Sequence, residues 1–391
     1  MRKLYNEDSF LFEFEAVVTG CSYHDKKKLY EISLNQTAFF PEGGGQPSDL
    51  GYLYPENQEA LIVLDVQEKE NQVIHYLEKP IPVDEKLIGK IDSCRRLDFM
   101  QQHTGEHILS GLVNKHFGAD NVGFHLGLSE VTLDFNKPLE LSSLRQLEML
   151  ANQAIWQDIP IQAEFPKEEV LVNLDYRSKL ELTEDIRIVT IPGFDTCACC
   201  APHLKSTGQV GLLKITNVQA HRGGVRVNIL CGRRALEDYT KKQDNIFSIS
   251  ASLSSKQDET AYAVSRLKEE TLQIKEENNI LQTKLLLEIA KTLPSPEASC
   301  HALLIIPPMN DIAIRNMINE LTLQYSGYVA VFWGDDVNGY RYLIGSKNRD
   351  CREIGTLLKE KFNAKGGGKA PMIQGTAVTT GETLKEIWIS L

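Results

Sequence analysis

His103 and His107 stand four residues apart in a segment, residues 92 to about 117, whose apolar residues Ile108, Leu109, Leu112 and Val113 recur at helical spacing. Residues at i and i+4 share one face of a helix, so both imidazoles can reach one ion. Further along, Cys199 and His203 repeat the spacing of four inside the stretch 195–203, which reads as a loop. Thiolate and imidazole together suit zinc. Two such pairs predict one Zn2+ per chain, held by His103, His107, Cys199 and His203. Cys197 and Cys200 are rival thiolates that spacing does not exclude. A catalytic zinc keeps one position open, so four named ligands imply that one is loosely held or that water joins as a fifth. The segment His103-Thr104-Gly105-Glu106-His107 also reads as H-x-x-E-H, the inverzincin metallopeptidase pattern, with Glu106 as its general base.

The elements that must position these residues fall into four regions. Residues 1–90 alternate apolar and polar residues over 13–19, 29–34 and 60–66 and predict a small β-rich, barrel-like domain. It carries an unusual run, Thr37-Ala38-Phe39-Phe40-Pro41-Glu42-Gly43-Gly44-Gly45-Gln46-Pro47. Residues 91–235 predict an α+β domain with helices over 92–117 and 140–157, a strand over 128–136, and strands and loops over 186–232. Residues 236–296 predict a long helix: Ile246, Leu253, Leu267, Ile274 and Leu281 keep a seven-residue register. Such a stripe can pack within the chain or across a dimer. Pro294 and Pro296 end it. Residues 297–391 predict an α/β domain with strands 302–306 and 328–333, helices 311–325 and 352–362, and a glycine loop at Gly366, Gly367 and Gly368. The fold class expected is therefore α+β: a barrel-like domain, an α+β zinc domain, a helical linker and a terminal α/β domain.

The 391 residues are 42% hydrophobic and 24% charged, which fits a globular chain rather than a disordered one. Arg2, Lys3, Glu7, Asp8, Glu13 and Glu15 interrupt the start, so no signal peptide is expected there. No run of about 18 apolar residues predicts a membrane span. A cytoplasmic location follows as an expectation, and there the crowded Cys197, Cys199 and Cys200 point to metal rather than disulfides. The net charge of −11 argues against a general nucleic-acid binder. Two local clusters run against it: Arg222, Arg226, Arg233 and Arg234, and Lys359, Lys361, Lys365 and Lys369.

Five segments, in order, resemble the editing half of alanyl-tRNA synthetase and the alanyl-tRNA editing proteins related to it. TAFFPEGGGQPSDLG (37–51) is similar to that family's glycine-rich signature, RLDFMQQHTGEHIL (96–109) to its first zinc motif and DTCACCAPH (195–203) to its second. LCGRRA (230–235) resembles the end of the editing domain, and GGGKAPMIQG (366–375) the glycine segment of a C-terminal domain shared with DHH-type phosphoesterases. The chain departs from the pattern at Cys200-Ala201-Pro202, where the family often has Gly-Gly-Thr, and it has no Asp-His-His triplet. The resemblance implies a zinc-dependent deacylase that hydrolyses mischarged tRNA-Ala, carrying serine or glycine. It is not expected to attach alanine. The tRNA acceptor end would be the partner, with a homodimer formed through the helical and C-terminal regions. Thr37 is then the candidate for recognising a serine hydroxyl, and Gln46 for hydrogen-bonding the substrate. Gly43, Gly44 and Gly45 would bring backbone close to it, and Arg222 would contact it. The competing readings are an inverzincin peptidase and a non-catalytic tRNA-binding protein with a structural zinc.

Overall fold

A computed structural model describes residues 1–178, 186–297 and 299–391. The chain divides into two compact units, Met1–Asn245 and Ile246–Leu391. Among the described residues no helix is long and apolar enough to cross a membrane.

The first unit opens with a seven-stranded antiparallel sheet. Its strands lie in the order Leu61–Val63, Gly51–Pro55, Lys86–Ile91, Glu13–His24, Leu29–Leu34, Gln72–Leu77 and Asp65–Lys69. The expected single strand over 60–66 is in fact two, Leu61–Val63 and Asp65–Lys69, at opposite edges of this sheet. Only Leu64 separates them, so the two edges must lie side by side and the sheet curls into a nearly closed barrel. The long strand Glu13–His24 turns the corner: its first half pairs with Lys86–Ile91 and its second with Leu29–Leu34, with an irregularity between Val18 and Gly20. Alternation fills the interior with Val18, Ile32, Leu34, Leu53, Val63, Val66 and Val73, all fully buried.

Helix α1, Ser93–Phe117, follows at once. The Asp92 side chain accepts from the Arg95 N–H at its start, and Gly118 ends it in the left-handed conformation. The predicted stripe of Ile108, Leu109, Leu112 and Val113 is buried. It packs with the helix Leu141–Trp156 and with a four-stranded sheet of Asn121–Leu126, Val131–Phe135, Gly224–Cys231 and Leu213–His221. A three-stranded sheet of Gln162–Glu164, Ile188–Ile191 and Asp195–Ala198 carries the chain into the second Cys/His pair.

The barrel is tied to α1 by a buried ion pair. Arg96 and Asp49 are both fully buried, and the guanidinium holds Asp49 through its Nε and Nη2. Arg96 also donates to the Ser9 and Ala38 carbonyls, at 2.9 and 2.6 Å. Asp49 in turn accepts the Phe40 N–H at 2.6 Å.

Two expectations about the later regions change. The long helix is two helices, Gly232–Leu253 and Thr260–Ala290. Serines make the break: Ser254 takes a positive φ of 49°, and Ser250 Oγ donates to the Ser255 carbonyl at 2.6 Å. Short hydroxyl side chains compete in this way with the helical ladder. The glycine segment is an edge strand, Lys365–Lys369, and not a loop. A Cβ on Gly366 or Gly368 would lie 2.3 Å from the carbonyl oxygens of Gln374 or Met372, so glycine permits the pairing. The second unit's sheet runs Ala302–Ile306, Val329–Asp335, Gly339–Gly345, Met372–Ala377, Lys365–Lys369, with the first pair parallel and the others antiparallel. The helix Cys351–Phe362 falls where the sequence puts it, whereas Asp311–Leu321 ends four residues before the expected 325.

Removing one partner of a buried ion pair leaves the other charge uncompensated, at a cost of about 3–5 kcal/mol. Asp49→Ala should therefore lower the unfolding free energy by about that much in denaturant titrations; a change below about 1 kcal/mol would show that the pair does not tie the barrel to α1.

Candidate metal centre

Helix α1 presents His103 and His107 to the segment that carries Cys199 and His203. One donor atom from each of the four lies within 4.8 Å of the others. The three histidines are almost wholly buried. Cys199 Sγ lies 3.3 Å from His203 Nε2 and 3.6 Å from His103 Nε2. Ligands about 2.0–2.3 Å from a tetrahedral ion sit roughly 3.4–3.6 Å from one another, so these spacings fit zinc.

Each imidazole has a fixed outer partner. His103 Nδ1 lies 2.9 Å from Gln46 Oε1, and His107 Nδ1 lies 2.9 Å from Asp195 Oδ2. An amide oxygen and a carboxylate only accept, so both rings donate from Nδ1, which leaves Nε2 as the nitrogen available to the cluster. His203 Nδ1 meets Thr104 Oγ1 at 3.3 Å. Burial, reinforced by His107 and His103, holds His203 well below the usual histidine range. Burial, with Cys200 beside it, pushes the Cys199 thiol up. Burial thus favours the neutral forms of His203 and Cys199, and a thiol of this kind ionises most readily beside a cation, as in a metal site. Burial alone would raise Asp195; hydrogen bonds from His107 and Arg177 carry it below the ordinary carboxylate range. Arg177 grips both its oxygens, at 2.7 and 2.9 Å. His107, Asp195 and Cys197 form a second grouping of donors, but it shares His107 and its carboxylate is already committed.

The other expected residues are arranged around this cluster in different ways. Gly44 and Gly45 both have positive φ, 59° and 82°, and Gly43 and Gln46 exchange backbone hydrogen bonds at 3.0 Å. This is a two-residue turn of the type that demands glycine. A Cβ on Gly45 would lie 2.7 Å from the Phe124 carbonyl oxygen, and the Phe124 ring packs 4.8 Å from His103. The turn therefore seats Gln46 against His103. Thr37 is fully buried in the barrel; its Oγ1 lies 2.9 Å from His75 Nε2 and accepts the Phe39 N–H at 3.1 Å. His75 Nδ1 faces the Ile32 carbonyl at 3.1 Å, so it carries the proton and Thr37 donates to Nε2. Arg222 stands apart from the four donors, at the tip of the hairpin joining Leu213–His221 and Gly224–Cys231. Glu106 is buried among Ser110 and Asn121, which donate to it at 2.7 and 2.6 Å.

Sequence reasoning missed Asp195, Arg177, Thr104 and His75. Asp195 and Thr104 lay inside the motifs already singled out. Nothing in the spacing of Arg177 or His75 marks them.

Residues 186–227 match the family described as the threonyl and alanyl tRNA synthetase second additional domain. That stretch holds Asp195, Cys199 and His203. The chain is similar along nearly all of its length to alanine–tRNA ligases and to an alanyl-tRNA editing protein. It is 30% identical over 380 residues to the alanine–tRNA ligase of Ignicoccus hospitalis, covering 94% of this chain and 40% of that protein. It is 26% identical over 391 residues to the alanyl-tRNA editing protein Aarsd1 of Danio rerio, covering 95% of this chain and 92% of the relative. With the editing protein AlaX-L of Pyrococcus horikoshii it shares 31% identity over 243 residues, 60% of this chain and 59% of the other. The chain thus spans about 40% of the length of the ligase it matches.

Two measurements check the site. Purified protein should carry about one zinc per chain by elemental analysis, and His103→Ala or Cys199→Ala should bring that close to zero; full occupancy in either variant would remove that residue from the ligand set. His75 is pushed down to about 4 by burial. Its unfolded value is about 6.5, so the unfolded chain binds the extra proton first as pH falls. Stability should be complete above about pH 6.5 and decline towards pH 4, by about 3 kcal/mol in total. Denaturant titrations across that range should show a flatter pH profile for His75→Gln.

Proposed function

We propose that this chain is a zinc-dependent deacylase that removes wrongly attached serine, with glycine as the second candidate, from tRNA-Ala, acting in trans. The observation that supports this most is the convergence of His103, His107, Cys199 and His203 in a buried cluster next to the glycine turn. The names of the Danio and Pyrococcus relatives carry the same reading. Residues 1–90 and 91–235 would form the editing module. Residues 236–296 and 297–391 would hold tRNA and a second copy of the chain.

Zinc bound at the cluster would polarise the ester carbonyl or lower the pKa of a water. The chain's own groups prepare that position. Gln46 Oε1 and Asp195 fix the tautomers of His103 and His107, and burial keeps bulk water from competing. Gln46 Nε2 is buried with no acceptor among the described residues. It is the N–H we assign to the substrate carbonyl oxygen, where charge develops as the ester is attacked. Thr37 retains acceptor capacity after meeting His75 and Phe39. A serine hydroxyl would use it and alanine could not, the asymmetry by which a site built for a hydroxyl discriminates.

The test is hydrolysis of Ser-, Gly- and Ala-charged tRNA-Ala. Ser-tRNA should be cleaved far faster than Ala-tRNA, and Cys199→Ala should abolish the reaction. Thr37→Val should reduce the Ser-over-Ala preference by about 1 kcal/mol, roughly fivefold. An unchanged ratio would leave Thr37 as the partner of His75 alone. Peptide cleavage without Ser-tRNA hydrolysis would favour the peptidase reading, and tight tRNA binding without turnover a binding role.

The second unit offers exposed Lys361, Lys365 and Lys369 around the glycine strand, and the apolar Leu267, Ile274 and Leu281 stay exposed on their helix. Changing the three lysines to Gln should weaken tRNA binding and reduce the slope of log affinity against log salt by up to about three. Sedimentation of the full chain should show a dimer; a monomer would remove the helical stripe from that role.

A further inference from the structure

Arg187 is a buried cation with an incomplete set of partners. It is 5% exposed. Its Nη1 donates to the Cys199 and Ala201 carbonyls, at 3.1 and 2.8 Å, while its Nε has no acceptor among the described residues. No carboxylate pairs with it among the described residues, and burial lowers its pKa. A buried guanidinium left in this state is a site for an anion.

Arg187 lines a cavity of about 490 Å³, within the range of small-ligand sites. Tyr5 and Phe40, packed edge to face at 5.4 Å, form part of the wall, and Phe165 stands half exposed beside them. Cys200 and Gly43 complete the side nearest the metal cluster. Cys199 and Cys200 are adjacent, one thiol in the cluster and the next residue lining the cavity. A Cβ on Gly44 would come within 3.6 Å of Cys200 Sγ. The carboxylates in the cavity wall are already engaged: Glu7 by Arg2, Glu68 by Lys3 and Glu42 by Gln67. Among the described residues they leave Arg187 as the cavity's cation without a carboxylate partner.

Flat aromatic walls beside a fork-shaped cation suit a nucleoside 5′-phosphate: the base packs on rings and the phosphate meets the guanidinium. Resting on the editing reading, we propose that this cavity holds the terminal nucleotide of the acceptor strand, with Arg187 on its 5′-phosphate and Tyr5, Phe40 and Phe165 around its base. The ester on that nucleotide's ribose then reaches the cluster next door. Because Arg187 also holds the Cys199 and Ala201 carbonyls, the phosphate contact and the ligand-bearing segment share one anchor.

The test is calorimetric binding of AMP and adenosine to the full chain. AMP should bind roughly tenfold more tightly than adenosine, the effect of one charge-assisted contact. Arg187→Gln should remove that preference while retaining adenosine affinity. Phe165→Ala, at the exposed rim, should weaken both ligands by roughly tenfold. A hairpin RNA ending in CCA should displace AMP, and the same hairpin without its terminal adenosine should do so at least tenfold less well. That arm separates an RNA end from a free mononucleotide as the ligand. Equal affinity for AMP and adenosine in the unaltered chain, a preference that survives Arg187→Gln, or equal displacement by the two hairpins would overturn the proposal. If Arg187→Gln fails to fold, the AMP preference of the unaltered chain, Phe165→Ala and the hairpin pair still decide it. Ser-tRNA hydrolysis without AMP preference would reject the cavity and keep the reaction; AMP preference without hydrolysis would do the reverse.

Discussion

Arg96 carries a full charge into a place that water does not reach, and the contacts it makes there hold the first unit together. Its guanidinium engages Asp49, the Ser9 carbonyl and the Ala38 carbonyl, while Asp49 receives the Phe40 N–H. The helix that bears both candidate metal-ligand histidines is thereby fastened to the barrel segment that bears Thr37, the glycine turn and Gln46. An apolar contact would allow sliding between these parts. A planar fork with fixed acceptors sets one orientation, and leaving any acceptor unmet is costly in the dry interior. His103 lies seven residues beyond Arg96, about two helical turns along the same helix. Fixing Arg96 therefore fixes where the imidazoles emerge.

The same logic runs outward from the cluster. Four donors converge without carboxylates among them. The charge balance of the set is delegated to the next layer: Asp195 behind His107, and Arg177 behind Asp195. Each link satisfies the one before it, and the chain of bonds ends at a residue nearer the surface. A network of this kind holds ligands in place before the ion binds, which reduces the ordering cost of binding it.

The sequence already showed much of this, for reasons that differ from residue to residue. The spacing of four is a local property of a helix, so His103 and His107 were visible as a pair. Helix α1 itself was visible because Ile108, Leu109, Leu112 and Val113 must all reach one core. Gly44 and Gly45 were visible as a glycine run, yet their purpose was not. Their positive φ angles and the near contact of Gly45 with Phe124 belong to a pairing across about 80 residues of sequence, and no local pattern records that. Arg177 and His75 were invisible for the same reason: each acts on a residue from a distant strand. The helix break at Ser254 was missed because the seven-residue spacing resumes beyond it at Leu267, with Thr260 in the intervening position, and a register says nothing about the hydroxyls between its members.

The triple glycine near the C-terminus shows how composition misleads when it is read as flexibility. Glycine in a run suggests a loop because nothing restrains it locally. Here the restraint comes from across the sheet. Gly366 and Gly368 face backbone at distances no Cβ tolerates, while Gly367 between them meets nothing. Alternation with period two is what an edge strand imposes on its two faces. Lys365 and Lys369 end the strand on exposed positions, where like charges also discourage a further strand from adding to the open edge. The segment is thus held by its neighbour in an ordered strand with one side of its backbone open, and is not the loop its composition suggests.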